Sequence, residues 1–370
     1  MNIIGAVLES SGSTRPYRNS APISISELSL DPPGPGEVLV RIEAAGVCHS
    51  DLSVVDGNRP RPTPMLLGHE AAGRIAALGD NVDDLSVGQR VVMTFLPRCG
   101  KCTQCMTDGK LPCSQGSAAN NAGHLLNGDI RLHRNGLDIK HHLGVSAFAT
   151  HAVVDRHSIV PIGDDVPPDV AAVLGCAVLT GGGAILNVAP PQPGDTVIVV
   201  GLGGVGMAAL ITALSLGQGD VIGVDSNSDK VSQAIELGAS AGYSPDDAVR
   251  LAIKAPIVIE AAGHPVAFET AVTVTAPGGI TVTVGLPPPH VRSSISPLGM
   301  VAEARTIVGS YLGSAVPARD IPVYAQLWRE GKLPVEKLIS SRIDLAGINA
   351  AMDQLADGNA VRQVIMFDQN

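Results

Sequence analysis

The segment that most constrains the fold is TVIVVGLGGVGMAALITALSLGQGDVIGVD, from Thr196 to Asp225: an apolar run, a glycine cluster, a helix-like stretch and a second apolar run. Gly201, Gly203 and Gly206 fit the pattern G-x-G-x-x-G, with Gly204 inside it, directly after one predicted strand and before a helix. That succession is a βαβ unit, whose crossover is right-handed. Backbone N–H groups and the helix dipole at such a turn suit a pyrophosphate. Asp225 ends the second strand, where its carboxylate would accept ribose hydroxyls and repel a 2′-phosphate, although a turn residue after a strand is the plainer account. The pair predicts NAD rather than NADP.

SDKVSQAIELGA, IVIEAAG and AVTVTAPGGITVTVG continue the alternation of helix and strand, so residues 178–314 read as a doubly wound parallel sheet. Residues 1–177 have another texture. Short apolar stretches such as VLVRIEAAGV and GQRVVM are broken by Gly, Pro and Asp, as in a mostly β domain. Residues 315–370, with a helical VYAQLWREGKLP and a closing strand VRQVIMF, are too short to stand alone and are expected to rejoin that domain. The fold class is therefore α/β plus β. A chain of 370 residues suits two domains with a core each, and with aromatic residues at 2% the cores must be built from Ala, Val, Ile and Leu. Residues 114–143 read as a long surface excursion.

A net charge of −10 argues against nucleic acid or an anionic membrane as partner. No run of membrane-spanning length is free of Gly, Pro and charge, and MNIIGAVLESSGSTRP lacks the basic and apolar regions of a leader, so a cytoplasmic location is expected. In that reducing compartment six cysteines are better read as ligands than as three disulfides.

Cys99, Cys102, Cys105 and Cys113 form C-x2-C-x2-C-x7-C, with Gly100 and Gly109 loosening the backbone and Lys101 offsetting charge. Four thiolates on one loop can close around a structural zinc. An iron–sulfur cluster takes other spacings, and two local disulfides would strain so short a loop. The remaining pair, Cys48 and Cys176, together with His69, supply three ligands and leave a fourth position for water or substrate. Such a site would lower the pKa of an alcohol and favour hydride transfer to a nearby acceptor. Asp51 is placed to accept the other ring N–H of His69, Glu70 to act behind the ligands, and Ser50 to hydrogen-bond the substrate oxygen and begin a proton relay.

With these motifs in GPGEVLVRIEAAGVCHSDL, GHEAAG, CGKCTQC, VIVVGLGGVG and VRQVIMF, the chain resembles the zinc-containing alcohol dehydrogenases of the medium-chain dehydrogenase/reductase family along nearly its whole length. The resemblance implies a Rossmann cofactor domain inserted in a GroES-like catalytic domain, two zinc ions per chain, NAD, and reversible oxidation of an alcohol to an aldehyde or ketone. It implies that His49 and Arg362 touch the cofactor pyrophosphate, Lys230 the adenosine ribose, and Thr180 and Val205 the nicotinamide side. It places Arg59, Phe95, Ala118, Phe148 and Leu286 around the substrate, with Arg59 either a solvated rim charge or a partner for an anionic substrate group. Ser53 stands where some relatives end the relay in a histidine. A homodimer is implied, with a homotetramer as the alternative. Two other readings share these motifs: a thiol-adduct formaldehyde dehydrogenase, and a zinc- and NAD-binding sensor without turnover.

Overall fold

The computed structural model describes residues 1–368. Two compact units emerge. One comprises Met1–Cys176, Pro317–Ala325 and the chain from Ile339 onward; the other comprises Ala177–Val316 and Gln326–Leu338.

The first unit is mostly β. Its longest strand, Glu37–Val47, pairs antiparallel with Ala71–Leu78, His151–Asp155 and Arg362–Met366. The closing VRQVIMF run thus rejoins the amino-terminal part through backbone hydrogen bonds that span most of the chain. With the helix Pro168–Val173 packed against it, Glu37–Val47 is buried at every position from 42 on, and residues 44–47 read as a continuous apolar run rather than an alternation. A second sheet of six strands runs from Leu137–Asp138 through Asn2–Leu8 to Lys140–His141. As expected from the scarcity of aromatics, the main core is Val, Ile, Leu, Ala and Met around Phe148 and Tyr17.

The segment 114–143 departs from the surface excursion expected of it. Ser114–Ala122 is a helix, and Leu132–Arg134 and Lys140–His141 are strands of the six-stranded sheet. Leu125, Leu132 and Ile139 are buried together in a separate core cluster, and His141 and His142 are buried as well. Its apolar residues are few and irregularly spaced among Asn, Gly and His, so no helix or strand period marks them in the sequence.

The second unit carries six parallel strands in the order Ala241–Tyr243, Val221–Val224, Val197–Val200, Ala255–Glu260, Thr275–Thr283, Thr306–Gly309. The helix Gly204–Leu216 leaves the glycine turn with Gly206 to Ala213 buried; its apolar side chains surround the axis, as in a core helix. The run Pro168–Val188 is the one described helix long and apolar enough to cross a membrane, and 94% of it is buried inside the protein.

Candidate active site

Cys48 closes the strand Glu37–Val47 and caps the helix His49–Val55, a box completed by Asp51, whose Oδ2 accepts from the Cys48 N–H at 2.9 Å. That helical turn sets Cys48 and Asp51 on either side of His69. Cys48, His69, Glu70 and Cys176 bring one ligand atom each within 4.8 Å of one another, all four buried. His69 Nε2 lies 3.5 Å from Cys176 Sγ, and His69 Nδ1 lies 3.0 Å from Asp51 Oδ1. Ligands at ~2.0–2.3 Å from one tetrahedral zinc stand about 3.5 Å apart, so the donor set and its spacing fit zinc.

The electrostatics agree with that fit. Of the two thiols, Cys48 is the one held well below the usual cysteine range, first by its hydrogen bond with Cys176 and then by the Arg362 charge. Burial works against ionisation of Asp51, yet the imidazoles of His69 and His142 hold its carboxyl down to about 2. Burial pushes Glu70 up to about 7. Both Glu70 carboxyl oxygens are buried without a hydrogen bond; Oε1 faces Arg362 Nε at 3.5 Å, a charge contact longer than a hydrogen bond. Gly46 makes room for that carboxylate, since a Cβ there would sit 2.0 Å from Glu70 Oε1. Arg362 is buried and donates through Nη1 to the Val47 carbonyl at 3.1 Å.

The four-cysteine loop converges equally closely. All four sulfurs lie within 4.8 Å of one another, with Cys99 to Cys105 at 4.0 Å and Cys102 to Cys113 at 3.9 Å. A disulfide needs ~2.05 Å. Four thiolates ~2.3 Å from a tetrahedral zinc stand about 3.8 Å apart, so this set fits a closed zinc site. Backbone N–H groups of Cys99 and Gly116 donate to Cys113 Sγ, and that of Cys105 to Cys102 Sγ, which stabilises thiolate charge. Gly100 and Gly109, at φ 72° and 85°, supply left-handed turns between the ligands.

Of the other residues expected near the substrate, Phe95 sets its ring edge-on to His69 with centroids 5.6 Å apart. Ser50 is half-buried on the helix after Cys48, and His49 before it is exposed. Phe148 is wholly enclosed in the core, Arg59 is half-buried, and Ala118 is exposed on the helix Ser114–Ala122. Ser53 Oγ donates to the His49 carbonyl at 2.8 Å. Sequence reasoning missed Asn120, which donates to the Phe95 carbonyl at 2.7 Å, and His142, 3.2 Å from Asp51. The paired histidines in IKHHLGVSAF, set between apolar residues, were the available signal for the second.

In the other unit, Gly201 adopts φ +91°, and a Cβ on it would lie 2.5 Å from the Ala262 nitrogen. A Cβ on Gly206 would lie 1.8 Å from the Gly201 carbonyl oxygen, whereas one on Gly203 would meet nothing within 4 Å. The first and third glycines are thus demanded by the protein's own packing. The second leaves open space at the helix amino end, as a pyrophosphate requires. Asp225 accepts from the Leu202 and Asn227 N–H groups at 2.6 and 2.9 Å, which fixes its carboxylate beside the turn. Lys230 follows in the first turn of the helix Ser228–Glu236. Gly181 packs against the Val205 carbonyl, which brings neighbouring Thr180 beside the amino end of the helix Gly204–Leu216. Leu286 is exposed after the strand Thr275–Thr283.

Comparison with known proteins narrows the readings these sites allow. Residues 34–164 match the family described as alcohol dehydrogenase GroES-like domain, and residues 204–330 match zinc-binding dehydrogenase. The chain is 33% identical, over 99% of both sequences, to an NDMA-dependent alcohol dehydrogenase of Amycolatopsis methanolica. The chain belongs to the zinc-binding alcohol dehydrogenase family. Among solved structures, the benzyl alcohol dehydrogenase of Acinetobacter calcoaceticus superposes with a TM-score of 0.90 at 30% identity, and an alcohol dehydrogenase zinc-binding domain protein of Burkholderia ambifaria with 0.91 at 28%, each over 100% of both chains. The family resemblance and the GroES-like plus Rossmann fold read from the sequence are borne out. As an alcohol dehydrogenase the chain is an oxidoreductase for small molecules that uses zinc and a nicotinamide cofactor.

Proposed function

We propose that this alcohol dehydrogenase is NAD-dependent and carries two zinc ions per chain, one held by Cys48, His69 and Cys176 and the other by Cys99, Cys102, Cys105 and Cys113. The observation that carries the reading is the convergence of both donor sets within 4.8 Å, the first including an imidazole oriented by Asp51 and the second closed by four thiols. Zinc held by the first set would supply Lewis acidity toward a substrate hydroxyl, and a bound nicotinamide would supply the hydride acceptor. The protein does the rest. Ser50 takes the hydroxyl proton into a relay, Asp51 fixes the His69 tautomer, and buried Glu70 with Arg362 sets the charge behind the ligands. Asp225 binds the ribose hydroxyls and disfavours a 2′-phosphate, while Lys230, Thr180, Val205, His49 and Arg362 complete the cofactor contacts. Arg59, Phe95, Ala118 and Leu286 shape substrate choice, whereas Phe148, wholly enclosed in the core, does not reach the substrate.

The test is metal content with an alcohol panel followed by NADH absorbance. Two zincs per chain, falling to one in Cys176→Ala with loss of turnover, is the expected result; a wild-type chain with one zinc or none refutes it. Identity to a relative named NDMA-dependent favours a second reading, in which a bound nicotinamide is turned over by an added acceptor. Cofactor released on denaturing the purified protein would distinguish it from exchange with free NAD.

A homodimer formed through the second unit is part of this proposal. The strand Thr306–Gly309 is an open sheet edge, and the helix leading into it exposes Leu298 and Val301 by 76% and 82%. Light scattering of Val301→Asp should then report monomer, and an unchanged mass would refute this contact.

A further inference from the structure

We infer that His142 is a positioning residue for the zinc ligand His69, acting through Asp51; the inference rests on the zinc reading proposed above. Asp51 is fully buried, and its carboxylate has two hydrogen bonds and one further charge contact. Oδ2 accepts from the Cys48 N–H, while Oδ1 lies 3.0 Å from His69 Nδ1 and 3.2 Å from His142 Nδ1. The two rings meet edge-on, 5.4 Å between centroids at 87°, so one oxygen serves both without the imidazoles clashing. The His142 approach lies off the line of a good hydrogen bond, and its Nδ1 is buried with no other partner, so Asp51 is the acceptor the geometry offers it.

The backbone of His142 belongs to the same frame as that of His69. Its N–H donates to Ser146 Oγ, and that hydroxyl donates to the Leu66 carbonyl. Ala147 and Phe148 then donate to the carbonyls of Gly68 and Leu67. The stretch 142–148 is therefore bonded along the approach to His69, and Asp51 is clamped between two imidazoles carried by one frame. A ligand histidine can point Nε2 at a metal only if Nδ1–H has an acceptor held in place. Asp51 is that acceptor, and His142 stops its carboxylate from rotating about the Cβ–Cγ bond.

Replacing His142 by Asn retains an N–H donor close to the Nδ1 position, whereas Gln carries its amide one bond farther and Leu removes it. Zinc release from each purified protein to a colorimetric chelator, the visible spectrum after cobalt substitution, and melting temperature are measured together. His142→Gln and His142→Leu should lose one zinc per chain roughly 10- to 100-fold faster than wild type and shift the cobalt bands, with His142→Asn staying near wild type. Equal release rates and spectra for the Asn and Gln variants, both of which are polar enough to fold, would overturn the assignment. So would wild-type behaviour in all three. A wild-type protein whose Cys48, His69 and Cys176 bind neither zinc nor cobalt would overturn the zinc reading and this inference with it.

Discussion

Gly203→Ala separates packing from cofactor binding at the glycine turn. Gly203 caps the helix Gly204–Leu216 at φ −77° and ψ −169°, a conformation open to alanine, and its Cβ would touch no protein atom within 4 Å. Losing a glycine from the unfolded chain gains about 0.4–1 kcal/mol, and placing Ala at an N-cap loses a similar amount, so folding stability should stay within about 1 kcal/mol of wild type. The methyl group instead projects where a pyrophosphate would lie. Overpacking of that kind costs ~1–3 kcal/mol, which is roughly a 5- to 150-fold rise in Kd for NADH. Gly206→Ala is the opposite case. Its Cβ falls 1.8 Å from a backbone oxygen, so the helix must move and stability should drop by about 1–3 kcal/mol or more. NADH fluorescence titration and thermal melting of both variants test this. A Gly203→Ala protein that binds NADH like wild type, or one that melts as early as Gly206→Ala, refutes the reasoning.

Asp225→Ser should weaken NAD while admitting NADP, since it removes the carboxylate but keeps a hydroxyl near the Leu202 and Asn227 N–H groups; the ratio of kcat/KM for the two cofactors should move by at least about tenfold toward NADP, and an unmoved ratio refutes the role. His141 is buried and its pKa is pushed down to about 3 by that burial, below its unfolded value of 6.5. The unfolded chain therefore takes up a proton that the folded one refuses, so stability is full above pH 6.5 and falls below it, by about 2–3 kcal/mol at pH 4.5. His141→Gln, which can still accept from the Arg131 N–H, should remove that part of the slope in urea unfolding at the two pH values; equal losses in both proteins would exclude His141 as the source. Asn120→Ala removes the bond to the Phe95 carbonyl and should cost ~1–3 kcal/mol of stability, raising KM for the alcohol more than it lowers kcat. A kcat effect alone would place Asn120 outside substrate positioning.

The parts of this protein legible in its sequence are those whose geometry is local. C-x2-C-x2-C-x7-C closes on itself because its ligands sit on one short loop, and Gly201, Gly203 and Gly206 mark a turn within one short segment, while the packing of Gly201 against Ala262 was visible only in the fold. The Asp51 to His69 contact was also readable, because a ligand histidine demands an acceptor and Asp51 stands in the Cys48-His49-Ser50-Asp51 run beside another ligand. Asn120 and His142 were not readable. Their segment has no regular apolar period, and the sheet pairing that buries it joins Lys140–His141 to Met65–Leu66, far away in sequence.

The same division holds at Arg362. The family resemblance implied a charge contact with the cofactor, while the strand Arg362–Met366, paired with Glu37–Val47, seats the guanidinium behind the metal ligands and next to Glu70. Sequence alone pointed to the chemistry this chain carries, through its ligand types and the short spacing of the four-cysteine and glycine motifs, although Cys48, His69 and Cys176 stand far apart in the chain. Tertiary structure alone decided which side chains hold that chemistry in place. Orienting contacts such as Asp51 to His142 and Glu70 to Arg362 join residues that only long-range strand pairing brings within 4 Å.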